Sequence, residues 1–222
     1  MISDLVPCLR GGCLILGSQS PRRLEILQRL TGLEIIVKPS TFPEDLDRSL
    51  YVHKAREYVR DNARLKCDNC LHTLTSAAPE FKWDVLVTAD TVVATTDGQI
   101  LEKPKDPAHA KRMLTALSGS EHMVHTGVCL VRAPSFENSK GELDLEKLDH
   151  ALFVEDTLVR FGLLSKQVID AYVATSEPLD KAGAYGIQGI GALLVESING
   201  DFYNVAGFPL YRFTQELLKL YA

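Results

Sequence analysis

Residues 85–94 read Val-Leu-Val-Thr-Ala-Asp-Thr-Val-Val-Ala, an apolar run with one carboxylate in its middle. A run of this length and β-branched character predicts a central strand. An unpaired carboxylate is costly to bury there, because it loses its hydration shell. Asp90 must therefore be ion-paired, metal-bound or at the mouth of a cleft. The plainer alternative is a strand end or bulge that leaves it exposed.

The rest of the chain alternates strands and helices around that run. Leu14-Ile15-Leu16 reads as a buried strand and Gly17-Ser18-Gln19-Ser20 as a turn. Pro21 opens a helix with Ser20 as N-cap, Leu24, Ile26, Leu27 and Leu30 as its buried face, and Gly32 as its stop. Residues 33–37 form a second strand. A long polar helix follows over about 49–73. Asp97-Gly98 makes a hairpin turn, and Asp106-Pro107 starts a helix whose buried face is Met113, Leu114 and Leu117. Strands are expected at 124–131, 151–161 and 192–198, with helices from Ser165 to about Thr175 and from Pro209 to Tyr221. The polar stretch 132–150 reads as an exposed loop inserted between two strands. Alternating strands and helices with some hairpins predict a mixed-sheet α/β protein.

Composition narrows the function. The 222 residues are 45% hydrophobic and 24% charged, enough for a sizeable core in one domain without staples. The 24 basic and 29 acidic residues leave a formal charge of −5, which argues against a general nucleic-acid binder. An anionic ligand would need a local basic cluster. No stretch is apolar for long enough to cross a bilayer. Residues 1–10 lack a basic segment followed by an apolar one, and the five cysteines are irregularly spaced. A reduced, cytoplasmic setting is expected.

Four segments carry possible chemistry. In Gly17-Ser-Gln-Ser-Pro-Arg-Arg23, two arginines sit in a helical first turn, against the dipole preference for acids. A phosphate docked on the free amides and guanidiniums would resolve that conflict; so would two solvated arginines on a capped helix. Asp90 is the second. In the third, Glu102-Lys-Pro-Lys-Asp106, Lys103 could reach a phosphate near Asp90, although an ordinary charged loop reads the same way. In Asp180-Lys-Ala-Gly-Ala-Tyr-Gly-Ile-Gln-Gly-Ile-Gly191 the small residues allow close backbone approach to a ligand, but the order is not a dinucleotide fingerprint. Cys67 and Cys70 lack the second pair that a zinc site needs. His122 and His125 face opposite sides of a strand and are expected to be structural or solvated.

Together these segments resemble the Maf family (septum formation inhibitor Maf-like proteins), which are nucleoside triphosphate pyrophosphatases. The matching stretches are Leu16-Gly-Ser-Gln-Ser-Pro-Arg-Arg23, Ala89-Asp-Thr-Val-Val93, Ile100-Leu-Glu-Lys-Pro-Lys-Asp106, Leu117-Ser-Gly119 with Thr126-Gly-Val128, Glu177-Pro-Leu-Asp-Lys-Ala-Gly-Ala-Tyr-Gly-Ile-Gln188 and Gly200-Asp-Phe-Tyr-Asn-Val-Ala-Gly-Phe-Pro-Leu210. They occur in the family's order and cover most of the chain. The insert at 132–150 is longer than the compact family pattern, and 40–50 matches loosely.

The resemblance implies an α/β fold with a mixed twisted sheet in two lobes around a deep cleft, similar to inosine triphosphate pyrophosphatase. It implies a single Maf-like domain over 1–222 that cleaves nucleoside triphosphates to monophosphate and pyrophosphate. Asp90 matches the catalytic acid position. Ser18, Arg22, Lys66 and Lys103 match positions around the phosphates. Arg23, Thr91 and Gln188 match positions that separate substrate classes, here the dTTP/UTP type. A divalent cation, Mg²⁺ or Mn²⁺, would sit on Asp90 and Glu44. The partner is a small nucleotide, with no polymer and no membrane, and the oligomeric state is open between monomer and homodimer. Two other functions stay in play: a 7-methyl-GTP pyrophosphatase, and a nucleotide-binding regulator of cell division that does not catalyse.

Overall fold

The computed structural model describes residue 9 and residues 12–77, 82–134 and 143–222. The amino-terminal stretch read for a leader, apart from Leu9, lies outside the described residues, as do residues 135–142 of the expected insert. In chain order the elements are β1 (Cys13–Leu16), α1 (Pro21–Thr31), β2 (Glu34–Val37), α2 (Ala55–Ala77), β3 (Val85–Thr95), β4 (Ile100–Leu101) and α3 (Pro107–Leu117). There follow β5 (Glu121–Arg132), β6 (His150–Phe161), α4 (Lys166–Ala174), β7 (Val195–Asn199), α5 (Phe202–Val205) and α6 (Leu210–Leu220). One mixed seven-stranded sheet runs β2-β1-β3-β5-β6-β7, with β4 paired to β3. β1 is parallel to β2 and β3, and the remaining pairs are antiparallel.

β3 is the central strand, and its period of two decides the chemistry. Val85, Val87 and Ala89 pack into the cluster formed with Ile26, Leu27, Phe208, Phe213 and Leu217, on the face covered by α1 and α6. Leu86 faces α2 through Cys67, Cys70, Leu71 and Leu74. Thr88 continues that α2 face by donating to the Ala63 carbonyl at 2.6 Å. Alternation then turns Asp90 toward α2 and Thr91 toward α1.

α2 sits on its face through a stripe of Ala55, Tyr58, Val59, Ala63, Cys67, Cys70, Leu71 and Leu74, spaced three and four apart. Cys67 and Cys70 therefore belong to the core. Burial holds the Cys70 thiol up at about 11, so it is no thiolate near neutrality. Lys66 falls in the same stripe and is only 6% exposed. The carbon skeleton of α2 thus delivers one ammonium to the sheet. A second apolar cluster, with Val93, Leu114, Val124, Phe161, Tyr172 and Tyr185, fills the space under α3 and α4. Val93, Val124 and Tyr185 of this cluster and Ile187 and Ala206 of the α1/α6 cluster line one cleft, together with Lys66 of α2.

Several expectations change. α1 buries Arg23 along with Ile26, Leu27 and Thr31, whereas Leu30 is 36% exposed. The helix expected from about 49 begins at Ala55, behind a 3₁₀ turn over Arg48–Tyr51. Residues Ile190–Leu194 form a 3₁₀ turn, so the last strand starts at Val195. The described ends of the 132–150 segment are not an exposed loop. Arg132 and His150 belong to β5 and β6, and Leu145 is buried against the α2 face with Leu143 and Leu148 packed beside it. Three leucines at 143, 145 and 148, spaced two and three apart in a polar stretch, give too little periodicity to read from sequence.

Candidate active site

A cleft of about 950 Å³ collects the residues that the sequence singled out. Ser18, Arg22, Arg23, Glu44, Lys66, Asp90, Thr91, Lys103 and Gln188 all line it. Its volume lies within the range of small-molecule sites.

Asp90 is at its floor, 9% exposed, and it is paired as its burial demands. The Lys66 ammonium donates to Asp90 Oδ1 at 2.8 Å and lies 2.8 Å from Glu44 Oε2. The Ala89 carbonyl is 3.5 Å from the same nitrogen. Glu44 reaches this point from an irregular stretch with a left-handed backbone, φ +55°, a conformation that non-glycine residues rarely adopt. The stretch is tacked to α2 by Asn69, whose Oδ1 accepts from the Thr41 N–H at 2.8 Å and the Ser40 hydroxyl at 2.9 Å. Two carboxylates from different elements thus converge on one cationic point. That donor set fits a hard divalent cation that draws its remaining ligands from phosphate and water.

The two adjacent arginines part company. Ser20 caps α1 by accepting from the Arg23 N–H at 3.3 Å, and successive side chains point about 100° apart. Arg22 crosses the cleft to Asp180, with Nη1 on Oδ2 at 2.8 Å and Nη2 on the main-chain oxygen at 3.1 Å. Arg23, the other member of the pair, turns inward. Four of its five N–H groups are engaged, on Gly207 O and Ala89 O (both 2.9 Å), Ser18 Oγ (3.0 Å) and Thr91 Oγ1 (2.8 Å). Burial lowers its guanidinium from the ordinary value, and Asp90 and Glu44 oppose that shift. Thr91 Oγ1 is also 2.9 Å from Thr126 Oγ1. Arg23 therefore welds the α1 turn to β3, and Ser18 and Thr91 are held through it.

Lys103 and Gln188 are exposed on the rim, and among the described residues neither makes an ion pair or hydrogen bond within the chain. Sequence reasoning gave no role to Asp180, Lys181 or Glu102. Lys181 shares the Asp180 carboxylate at 2.7 Å, and Glu102 accepts from the Tyr58 hydroxyl at 2.6 Å. Their only signal was membership of the segments 177–188 and 100–106. His122 lies outside this machinery and is 2.9 Å from the Tyr185 hydroxyl; His125 is likewise apart, 2.7 Å from Asp156 Oδ1. Burial pushes both imidazoles down to about 4, with Arg56 adding to it for His125; His122, with a hydroxyl as its partner, stays neutral near pH 7, whereas the Asp156 carboxylate beside His125 opposes the shift there.

Against known proteins, the family profile described as "Maf-like protein" matches residues 13–220. The chain belongs to the Maf-like family. This Maf-like chain is 45% identical over 211 residues to a human protein named "Probable bifunctional dTTP/UTP pyrophosphatase/methyltransferase protein", covering 94% of the chain and 32% of that relative. It thus spans about a third of the human relative's length. It is 44% identical over 209 residues to a dTTP/UTP pyrophosphatase of Moorella thermoacetica, covering 94% of each. A dTTP/UTP pyrophosphatase of Pyrococcus furiosus is 41% identical over 197 residues, covering 89% of this Maf-like chain and 90% of its own length. No helix among the described residues is long and apolar enough to cross a membrane.

Proposed function

We propose that this Maf-like protein is a nucleoside triphosphate pyrophosphatase that hydrolyses dTTP and UTP to the monophosphate and pyrophosphate. The observation that carries the reading is the Asp90–Lys66 pair at the floor of a cleft whose walls hold Arg22, Lys103 and Lys181. A binder of triphosphates has no use for a buried carboxylate facing the phosphates, whereas a hydrolase needs a base there. The names of relatives at 40–45% identity over most of the chain support the same reaction.

Asp90 accepts the proton of the attacking water. Lys66 orients its carboxylate, leaving Oδ2 clear of that hydrogen bond. Arg22 and Lys103 hold phosphate oxygens and stabilise charge as pyrophosphate leaves. Ser18, fixed by Arg23, offers a hydroxyl beside the α1 amino terminus, where the first-turn amides favour anions.

The cleft needs added positive charge. Five basic side chains line it (Arg22, Arg23, Lys66, Lys103 and Lys181), but so do six acidic ones (Glu25, Glu44, Asp90, Glu102, Glu177 and Asp180). A triphosphate brings about four negative charges. Mg²⁺ or Mn²⁺ held by Asp90 and Glu44 would neutralise phosphate charge and lower the pKa of bound water. Excess chelator should accordingly lower turnover at least tenfold, and readdition of Mg²⁺ or Mn²⁺ should restore it. Undiminished turnover in chelator would exclude this role for the two carboxylates.

For the base, Gln188 is the reader. Its amide supplies one donor and one acceptor, and a uracil or thymine edge offers acceptor, donor and acceptor. Arg23 contributes by holding Thr91. Steady-state kcat/KM for dTTP, UTP, CTP and 7-methyl-GTP tests the assignment. We expect dTTP and UTP to exceed 7-methyl-GTP at least tenfold, because a site that hydrogen-bonds one base edge is left unpaired by another. If 7-methyl-GTP came out best, the base assignment would fall while the reaction class stood.

A further inference from the structure

Gln188 belongs to a segment, Gly186–Gly191, that pairs with no strand. Its main chain is held by two side chains. Glu177 Oε2 accepts from the Ile190 N–H at 2.9 Å, and Oε1 accepts from the Gly191 N–H at 3.1 Å. The Tyr172 hydroxyl donates to the same Oε1 at 3.0 Å and accepts from the Gly186 N–H at 3.2 Å. The segment is thus pinned on both sides of Gln188, two residues before it and two and three residues after it.

The glycines follow from how closely the backbone wraps these two side chains. A Cβ on Gly189 would lie 2.5 Å from Glu177 Oε2, and one on Gly191 would lie 2.5 Å from the Tyr172 hydroxyl oxygen. The glycine-rich pattern that suggested close approach to a ligand therefore records, at these two positions, close approach to an internal carboxylate and phenol. Burial acts to raise the Glu177 carboxyl, but the N–H groups of Gly191 and Ile190, the Tyr172 hydroxyl and nearby Lys181 prevail and hold it below its ordinary value. An ionised acceptor makes these bonds stronger than neutral ones.

We propose that Glu177, backed by Tyr172, is a positioning residue that sets the base preference of the cleft by fixing the segment that presents Gln188. Its carboxylate oxygens are occupied by the segment, so it acts through Gln188 and not on the phosphates. The role rests on the dTTP/UTP reading given above.

The test is the ratio of kcat/KM for dTTP to that for 7-methyl-GTP in wild type, Glu177→Ala, Gln188→Ala and the double variant. Partial misfolding lowers both numbers equally and cancels in the ratio. We expect Glu177→Ala to lower the ratio at least about tenfold, through a higher KM for dTTP with kcat changed little. The double variant should be no worse than Gln188→Ala alone, because two residues that act through one contact are not additive. Tyr172→Phe removes a single hydroxyl and should shift the ratio the same way by a smaller factor; it carries the test if Glu177→Ala does not fold. Hydrogen exchange at the Ile190 and Gly191 amides should speed up in Glu177→Ala. A high wild-type ratio left unchanged by Glu177→Ala, or a double variant that adds the two losses, would overturn the proposal. A wild-type ratio near one would instead overturn the base assignment on which it stands.

Discussion

Asp90→Asn should lower kcat at least about 100-fold, the range expected when a positioned base is removed. Asparagine has the shape of aspartate and keeps an oxygen for Lys66, so the 2.8 Å contact has a neutral replacement. The ammonium also retains Glu44 at 2.8 Å and is not left as an unpaired buried charge. These features make Asn a cleaner probe than Ala, which would strand Lys66 beside a cavity. The neutral amide cannot take a proton from water, so the loss should fall on kcat while KM for the triphosphate stays within a few-fold. Circular dichroism checks the fold and steady-state kinetics the split. Near-normal turnover in a folded variant would remove Asp90 from the mechanism and return the reaction to a base outside this pair.

That a buried Asp90 needs a partner, a metal or a cleft mouth was legible in the sequence; which of these it has, and that the partner is Lys66, was not. The partner lies 24 positions back on a helix read as polar. α2 carries charged side chains around most of its surface, and its buried stripe includes Ala55, Ala63 and two cysteines, which weigh little in a hydrophobicity pattern. Periodicity alone gives Lys66 no face, because a side chain's face is visible only once the stripe is in phase; only the family resemblance singles it out. The two arginines show the same limit. Their conflict with the helix dipole was readable, but four acceptors from 18, 89, 91 and 207 had to meet around Arg23 before its inward turn was determined. Local signals did better. Ser20, Asp106 and Ser165 each cap the helix that follows, and Gly32 and Gly98 adopt φ of +72° and +84° where a stop and a turn were read. Those features depend on neighbours a few residues away. The site depends on tertiary contacts, and only the resemblance to a family brought its members together in advance.

The contact that brings Lys66 to Asp90 has its own requirement in the sheet, at Gly127. In the β3–β5 register Gly127 sits directly opposite Asp90. The main chain of α2 rests on it: a Cβ there would lie 2.2 Å from the Val59 carbonyl oxygen and 2.5 Å from its carbon. Neither atom is the end of a flexible side chain, so a methyl group must push the helix away. Val59 and Lys66 are seven residues apart, close to two turns, and lie on the same face. Displacement at the first therefore carries to the second. We expect Gly127→Ala to cost about 2–3 kcal/mol by overpacking, a fall in Tm on the order of 5–10 °C for a chain of this size. We also expect kcat to fall by about tenfold or more, since misplacing a catalytic group by about an ångström has that effect. Gly162→Ala is the control: nothing lies within 4 Å of the Cβ it would add, so both quantities should hold. If Gly127→Ala matched that control in Tm and kcat, the close seat of α2 on β5 would not be what sets the Lys66–Asp90 pair.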